Sequence, residues 1–141
     1  MSGYYGHIEA DTLANTNFRQ VLYTGVYNQL VLMSLKPNEE IGSEVHANVD
    51  QFFRFEAGQG QVIIDSETHA VKDGDAVIVP AGAEHNVINT SKNESLKLYT
   101  IYSPPNHPAK TVHVTKAEAD IAEAAEHHQT QSITLFKILI N

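Results

Sequence analysis

Between residues 17 and 103 the chain alternates short apolar segments with clusters of turn-forming residues. Some segments, such as residues 18–24, place apolar and polar residues in alternation, which is the period of a strand with one buried face. Short strands between closely spaced turns are typical of an all-β sandwich or barrel. Strands are predicted at residues 18–24, 29–35, 43–47, 51–56, 61–65, 68–72, 75–79, 84–89 and 96–103.

The flanking segments are patterned differently. Residues 1–16 have no clear period and are expected to form an N-terminal arm, ahead of a barrel over residues 17–114. Thr115 and Glu118 form a Thr-x-x-Glu capping box before an alanine-rich stretch. A helix is therefore predicted over residues 115–128.

The C-terminal segment, residues 115–141, closes with an apolar, strand-like tail over residues 133–140. An exposed strand of this kind promotes aggregation, so the tail is expected to pack on the barrel or on a second subunit. His127 and His128 close the predicted helix, where positive charge is favourable, and they are expected to be structural or simply exposed.

Composition narrows the classes of function. The 141 residues fit one domain, and the 42% apolar content supports a folded core. No membrane helix or signal peptide is recognisable, and the absence of cysteine suits the cytoplasm, which is the expected location. With a net charge of −8 and two arginines, nucleic acid and anionic membranes are poor partners, and a multiply phosphorylated substrate is disfavoured.

Four residues carry the candidate chemistry. Glu44 and His46 are two apart, so a strand would place both side chains on one face. A turn follows, and an antiparallel hairpin would bring Gln51 close to His46. His85 is the first large side chain after a sharp turn at residues 80–82, and it would complete the set if its strand runs beside that hairpin.

These residues lie in two recognisable motifs. The second motif of the cupin family is matched at every defined position, by Gly74, Pro80, Gly82, His85 and Asn89. The first motif usually has two histidines, a glutamate and a glycine, and the corresponding positions here are Glu44, His46, Gln51 and Gly58. Over residues 29–102 the chain therefore resembles a small single-domain cupin of type 2, with an RmlC-like jelly roll. The resemblance implies a double-stranded β-helix barrel with a short C-terminal helix. It also implies a homodimer paired through edge strands, to which the apolar tail would add contact surface.

The resemblance also implies a metal site. Its ligands would be Glu44, His46, Gln51 and His85. One carboxylate, two imidazoles and a carbonyl suit one divalent ion of Mn, Fe, Ni, Co or Zn, with two positions open on a six-coordinate ion. Glu44 is the candidate catalytic residue, as ligand or general base. Two alternatives remain open: Gln51 as a hydrogen-bond partner behind the ligands, and His46 and His85 as polar residues bonded to backbone.

Two classes of function are consistent with this site. The first is a metal-dependent enzyme acting on a small, oxygen-rich substrate, either dioxygenase-like or isomerase-like as in mannose-6-phosphate isomerases. The alternative is a non-catalytic cupin that binds or senses a small ligand. His107 or His113, in a proline-rich loop after the last predicted strand, is a candidate to reach over the cavity. Six apolar residues are expected in the core, with a possible second role as substrate wall: Met33, Leu35, Phe53, Phe55, Val87 and Ile101.

Overall fold

The structure is a computed structural model that describes residues 2–140, except for the side chains of residues 127–134. The described chain contains ten strands and two helices. The strands are β1 (Arg19–Thr24), β2 (Gln29–Leu35), β3 (Glu44–Val45), β4 (Asp50–Ala57), β5 (Gln59–Ile64), β6 (Glu67–Lys72), β7 (Ala76–Val79), β8 (Glu84–Asn89), β9 (Leu96–Ser103) and β10 (Val112–His113). The helices are α1 (Ile8–Ala14) and α2 (Lys116–Leu139).

The strands form two antiparallel sheets that enclose the core. The larger sheet has the order β10-β1-β2-β9-β4-β7, and the smaller has the order β3-β8-β5-β6. Strands adjacent in the sheets are often distant along the chain, as for β2 and β9. This is the jelly-roll arrangement that the resemblance to cupins implies. The core lies between the inner faces of the two sheets.

Strand β9 shows how the sequence alternation selects the buried face. Leu96, Leu98, Thr100 and Tyr102 are all buried, and the residues between them face the other side of the sheet. Ile101 alternates with these buried residues and therefore lies on the outer face of the sheet. The prediction that it lies in the core was wrong. The remaining five predicted core residues are fully buried: Met33, Leu35, Phe53, Phe55 and Val87.

One predicted pairing is incorrect. The expected hairpin between the strands of Glu44 and Gln51 does not form, because β3 pairs with β8 in the smaller sheet. Strand β4 instead pairs with β7 and β9 in the larger sheet. Both edges of β4 are thus occupied, so no edge is left for β3. The segment after β3 crosses from one sheet to the other.

The predicted strand-like tail is also wrong. Helix α2 continues through Leu139, well past the predicted end at residue 128. A helix satisfies its backbone hydrogen bonds internally and needs no partner strand. The last apolar side chains are exposed, those of Leu135, Phe136, Ile138, Leu139 and Ile140. The side chains of His127 and His128 lie outside the described residues, and the expected homodimer stays a prediction.

The flanking segments hold more regular structure than the pattern indicates. The N-terminal arm contains α1. The segment between β9 and α2 contains β10, which pairs with β1. Thr115 caps α2 as predicted, because its side chain accepts a hydrogen bond from the backbone N–H of Glu118. Neither described helix combines the length and the apolar character required to cross a membrane.

Candidate metal centre

Three of the four predicted ligands lie together at the mouth of the barrel. Glu44, His46 and His85 each offer one ligand atom, and these atoms lie within 4.8 Å of one another. Glu44 and His85 are direct partners in the ladder between β3 and β8, so both side chains leave the same face. His46 follows β3, and its Nε2 lies 3.1 Å from Oε2 of Glu44.

Gln51 reaches the same cluster from the opposite sheet. Its Oε1 lies 3.2 Å from Nε2 of His85, and its Nε2 donates a hydrogen bond of 3.0 Å to Oγ1 of Thr100. The Thr100 contact orients the amide, and both side chains are buried. The four predicted ligands therefore converge, although the hairpin expected to bring Gln51 there is absent.

The hydrogen bonds of His85 are compatible with a cation bound by this donor set. Its Nδ1 lies 3.1 Å from the carbonyl oxygen of Ala83, which can only accept, so Nδ1 carries a proton. In the neutral ring Nε2 is then an acceptor, and it faces Oε1 of Gln51, which is another acceptor. A metal ion held by both atoms, or reversal of the Gln51 amide, relieves this repulsion. Orientation of a histidine ligand through its other ring nitrogen is usual in metal sites.

A sharp turn places His85 at the end of its strand. Gly82 has φ of +87°, a conformation that side chains with a Cβ rarely adopt. Its backbone N–H donates to the carbonyl oxygen of His46 at 2.9 Å. Nearby, the N–H of Ala81 donates to Oδ1 of Asp50 at 2.9 Å. The turn thus fixes the backbone on both sides of the cluster.

Aromatic rings surround the cluster on its inner side. The rings of His46 and His85 are 5.3 Å apart between centroids, and Phe53 packs 6.2 Å from His85. Tyr102 packs edge-on to His46 at 5.9 Å. Burial raises the pKa of the Tyr102 hydroxyl, with the nearby Glu44 carboxylate adding to this and Arg19 opposing it, so the phenol stays neutral. These rings shield the inner side of the site from water.

On its outer side the cluster opens into a cavity of about 600 Å³. Its walls come from residues 43–46, from the loop between β9 and β10, and from helix α2. The lining residues are Ser43, Glu44, Val45, His46, Asn106, His107, Glu123 and Glu126. A small organic molecule can therefore enter beside Glu44 and His46.

Of the two candidate histidines, His107 lines the cavity and His113 is not among its lining residues. Nδ1 of His113 instead lies 3.3 Å from Nη1 of Arg19. Burial lowers the pKa of His107 to about 3, with Arg19, His46 and His113 adding to the effect. His107 is therefore neutral at physiological pH.

Glu123 is a cavity residue that the sequence analysis missed. Its Oε1 lies 3.2 Å from Nη1 of Arg19, whose side chain is only 1% exposed. Burial raises the pKa of Glu123, although Arg19 opposes the shift. Together with the buried Ala119, this pair fastens the first half of α2 to the barrel. No sequence signal identified Glu123, because its place depends on how α2 docks.

Comparison with known proteins agrees with this architecture. Residues 31–102 match the family profile described as Cupin domain. The Bacillus subtilis protein YrkC is 52% identical over 123 residues, which is 83% of this chain and 66% of YrkC, just under two thirds. The mimivirus protein L612 is 39% identical over 119 residues, covering 82% of this chain and 74% of L612.

Solved structures show the same fold. The crystal structure of BH2720 from Bacillus halodurans is 44% identical and superposes with a TM-score of 0.83, covering 85% of this chain and 95% of BH2720. An RmlC-like cupin from Shewanella frigidimarina superposes with a TM-score of 0.58 at 20% identity, covering 63% of this chain and 77% of that protein. The latter similarity concerns the fold alone. From the family match and these relatives, the chain belongs to the cupin domain family.

Proposed function

We propose that this protein is a metal-dependent cupin enzyme that acts on a small, oxygen-rich molecule bound in the cavity. The observation that carries the proposal is the convergence of Glu44, His46 and His85, with ligand atoms within 4.8 Å of one another. Gln51 adds a carbonyl oxygen 3.2 Å from His85. This mixed oxygen and nitrogen set suits one divalent ion of Mn, Fe, Ni, Co or Zn.

Residues of the chain would hold a proton at this site and orient the metal ligands. When bound, a divalent ion would polarise a substrate oxygen as a Lewis acid. Glu44 lies on the cavity wall with Oε2 beside His46, so a carboxylate is available there to hold a proton. Ala83 orients His85 and Thr100 orients Gln51, which limits the reorganisation needed on binding.

The charge of the cavity favours a substrate without phosphate. Its described lining includes Glu44, Glu123 and Glu126 and contains no lysine or arginine. The nearby Arg19 is paired with Glu123. Because a phosphate group needs cationic partners, this lining disfavours sugar phosphates and supports a diketone or hydroxy-carbonyl substrate.

Metal binding is the first test. Protein purified without a His-tag is analysed for bound metal and titrated calorimetrically with Mn²⁺, Fe²⁺, Ni²⁺, Co²⁺ and Zn²⁺. We expect binding of about one ion per chain, and loss of that binding in His85→Gln. His69→Gln, on the exposed strand β6, is the matched control and retains it. No binding of any of these ions to the wild-type protein would refute the proposal.

Turnover is the second test. Metal-loaded protein is incubated with pentane-2,4-dione and oxygen, and separately with mannose 6-phosphate. Oxygen uptake without sugar isomerisation is expected, and the reverse result would favour the isomerase. Glu44→Gln distinguishes enzyme from binding protein, since an enzyme loses turnover while a non-catalytic cupin shows none and changes only in ligand affinity.

A further inference from the structure

A row of buried polar side chains crosses the larger sheet beside the metal centre. Gln29 on β2, Tyr102 on β9 and Gln51 on β4 are neighbours in register, each facing the interior at no more than 2% exposure. Buried polar groups are costly unless they are hydrogen-bonded. The hydrogen-bond partners of these three side chains therefore indicate which groups the side chains hold in place.

At one end of the row, Gln29 holds the loop between β9 and β10 through hydrogen bonds. Its Oε1 accepts hydrogen bonds from the backbone N–H groups of Asn106 and His107, at 3.1 and 3.0 Å. Its Nε2 donates to the carbonyl oxygen of His107 at 2.8 Å and to Oγ1 of Thr24 at 2.9 Å. One buried amide thus uses its full hydrogen-bonding capacity, and three of the four bonds go to this loop.

In the middle of the row, Tyr102 orients the ring of His107. The Tyr102 hydroxyl lies 3.2 Å from Nε2 of His107. The tyrosine ring meets the His107 ring edge-on at 5.1 Å, and it meets the ring of His46 edge-on at 5.9 Å. Tyr102 therefore packs against a candidate ligand on one side and the loop histidine on the other.

We propose that His107 is a substrate-contacting residue of the metal centre, positioned by Gln29 and Tyr102. This inference rests on the proposed function, because it places the substrate in the cavity that His107 shares with Glu44 and His46. A side chain on a loop between strands is ordinarily mobile. Here the backbone of His107 is held by Gln29 and its ring by Tyr102. Nε2 is engaged by Tyr102, and Nδ1 has no hydrogen-bond partner among the described residues, so it can bond a hydroxyl or keto oxygen of the guest. The low pKa of His107 keeps this ring uncharged, which suits a neutral oxygen-rich molecule.

The test separates guest binding from metal binding. Co²⁺-loaded protein is titrated with pentane-2,4-dione, and Co²⁺ affinity is measured separately. In His107→Gln we expect the Kd for the diketone to rise about tenfold, or about 1.4 kcal/mol, while the Kd for Co²⁺ stays within about twofold. His69→Gln, on exposed β6, is the control and changes neither value. His107→Asn, whose amide can replace the Nδ1 group, should retain more affinity than His107→Ala.

The positioning role of Tyr102 has its own matched pair of variants. Tyr102→Phe keeps the ring beside His46 but removes the hydroxyl that holds His107 and that also hydrogen-bonds the side chain of Gln51. Diketone binding should therefore weaken about fivefold in metal-loaded protein, and by more than Co²⁺ binding does. Tyr99→Phe makes the same change on the outer face of the same strand, where Tyr99 packs near Phe52, and should have no effect.

The outcomes are distinguishable. If wild-type protein binds no metal, the proposed function fails and the inference fails with it. If it binds Co²⁺ but not the diketone, or if His107→Gln binds the diketone as the wild type does, the metal centre stands and the role of His107 is overturned. Equal loss of Co²⁺ and diketone binding in His107→Gln would make His107 a support of the metal site, which also overturns the inference.

Discussion

Oε1 of Gln51 lies 3.2 Å from Nε2 of His85, although the two residues belong to strands of different sheets. Glu44 and His46 reach the same place from the side of the smaller sheet. A cation held by this set would link the two layers of the barrel. Its binding free energy would then add to the stability of the folded protein.

Thr100 is expected to control metal affinity without being a ligand. Thr100→Val keeps the size of the buried side chain but removes the hydroxyl that accepts from Gln51. Loss of such an orienting partner should raise the Kd for Co²⁺ by about tenfold or more, as measured by calorimetry. Thr68→Val, on the exposed strand β6, is the control and should leave the Kd unchanged. Wild-type affinity in Thr100→Val would show that the orientation of Gln51 is irrelevant.

The Arg19–Glu123 pair is expected to contribute to stability. In Glu123→Gln the buried guanidinium of Arg19 loses its carboxylate partner at 3.2 Å. Since Glu123 is partly exposed, the expected loss in the free energy of unfolding is about 1–2 kcal/mol, measured by urea denaturation. Asp120→Asn alters an exposed pair with Lys116 on the same helix and should cost less than about 0.5 kcal/mol. Equal effects of the two variants would contradict the fastening of α2 through Arg19.

His107 is expected to make the protein sensitive to acid. Its pKa is about 3 in the folded protein, and a histidine in an unfolded chain titrates near 6.5. As pH falls from 6.5 towards 3, the unfolded chain gains a proton that the folded protein excludes, so stability decreases. At about pH 4.5 this loss amounts to at most about 2.7 kcal/mol, from two pH units at 1.36 kcal/mol each.

The variant His107→Gln should remove that loss. The free energy of unfolding is measured by urea denaturation at about pH 7 and about pH 4.5, and the difference should be smaller in the variant than in the wild type. His69→Gln, on an exposed strand, is the control. An unchanged difference in His107→Gln would show that another group causes the acid sensitivity.

Much of the fold was predictable from local sequence. The observed bounds of β2, β8 and β9 are those predicted, because apolar residues there end abruptly at turn-forming residues. The capping box at Thr115 located the start of α2, but the pattern did not give its end. Apolar residues after position 132 are compatible with either a strand or a helix, and local pattern cannot choose between them.

The sequence by itself determined which residues carry donor atoms, where most of the strands lie and which side chains share a face within a strand. It identified Glu44, His46, Gln51 and His85, and the turn around Gly82 that precedes the last of them. A period of two residues specifies a face but not a partner strand. Partners are set by backbone hydrogen bonds between distant segments and by burial of both sheets in one core. Only the tertiary structure could therefore bring Gln51 across from the other sheet and place His107 and Glu123 on the cavity wall.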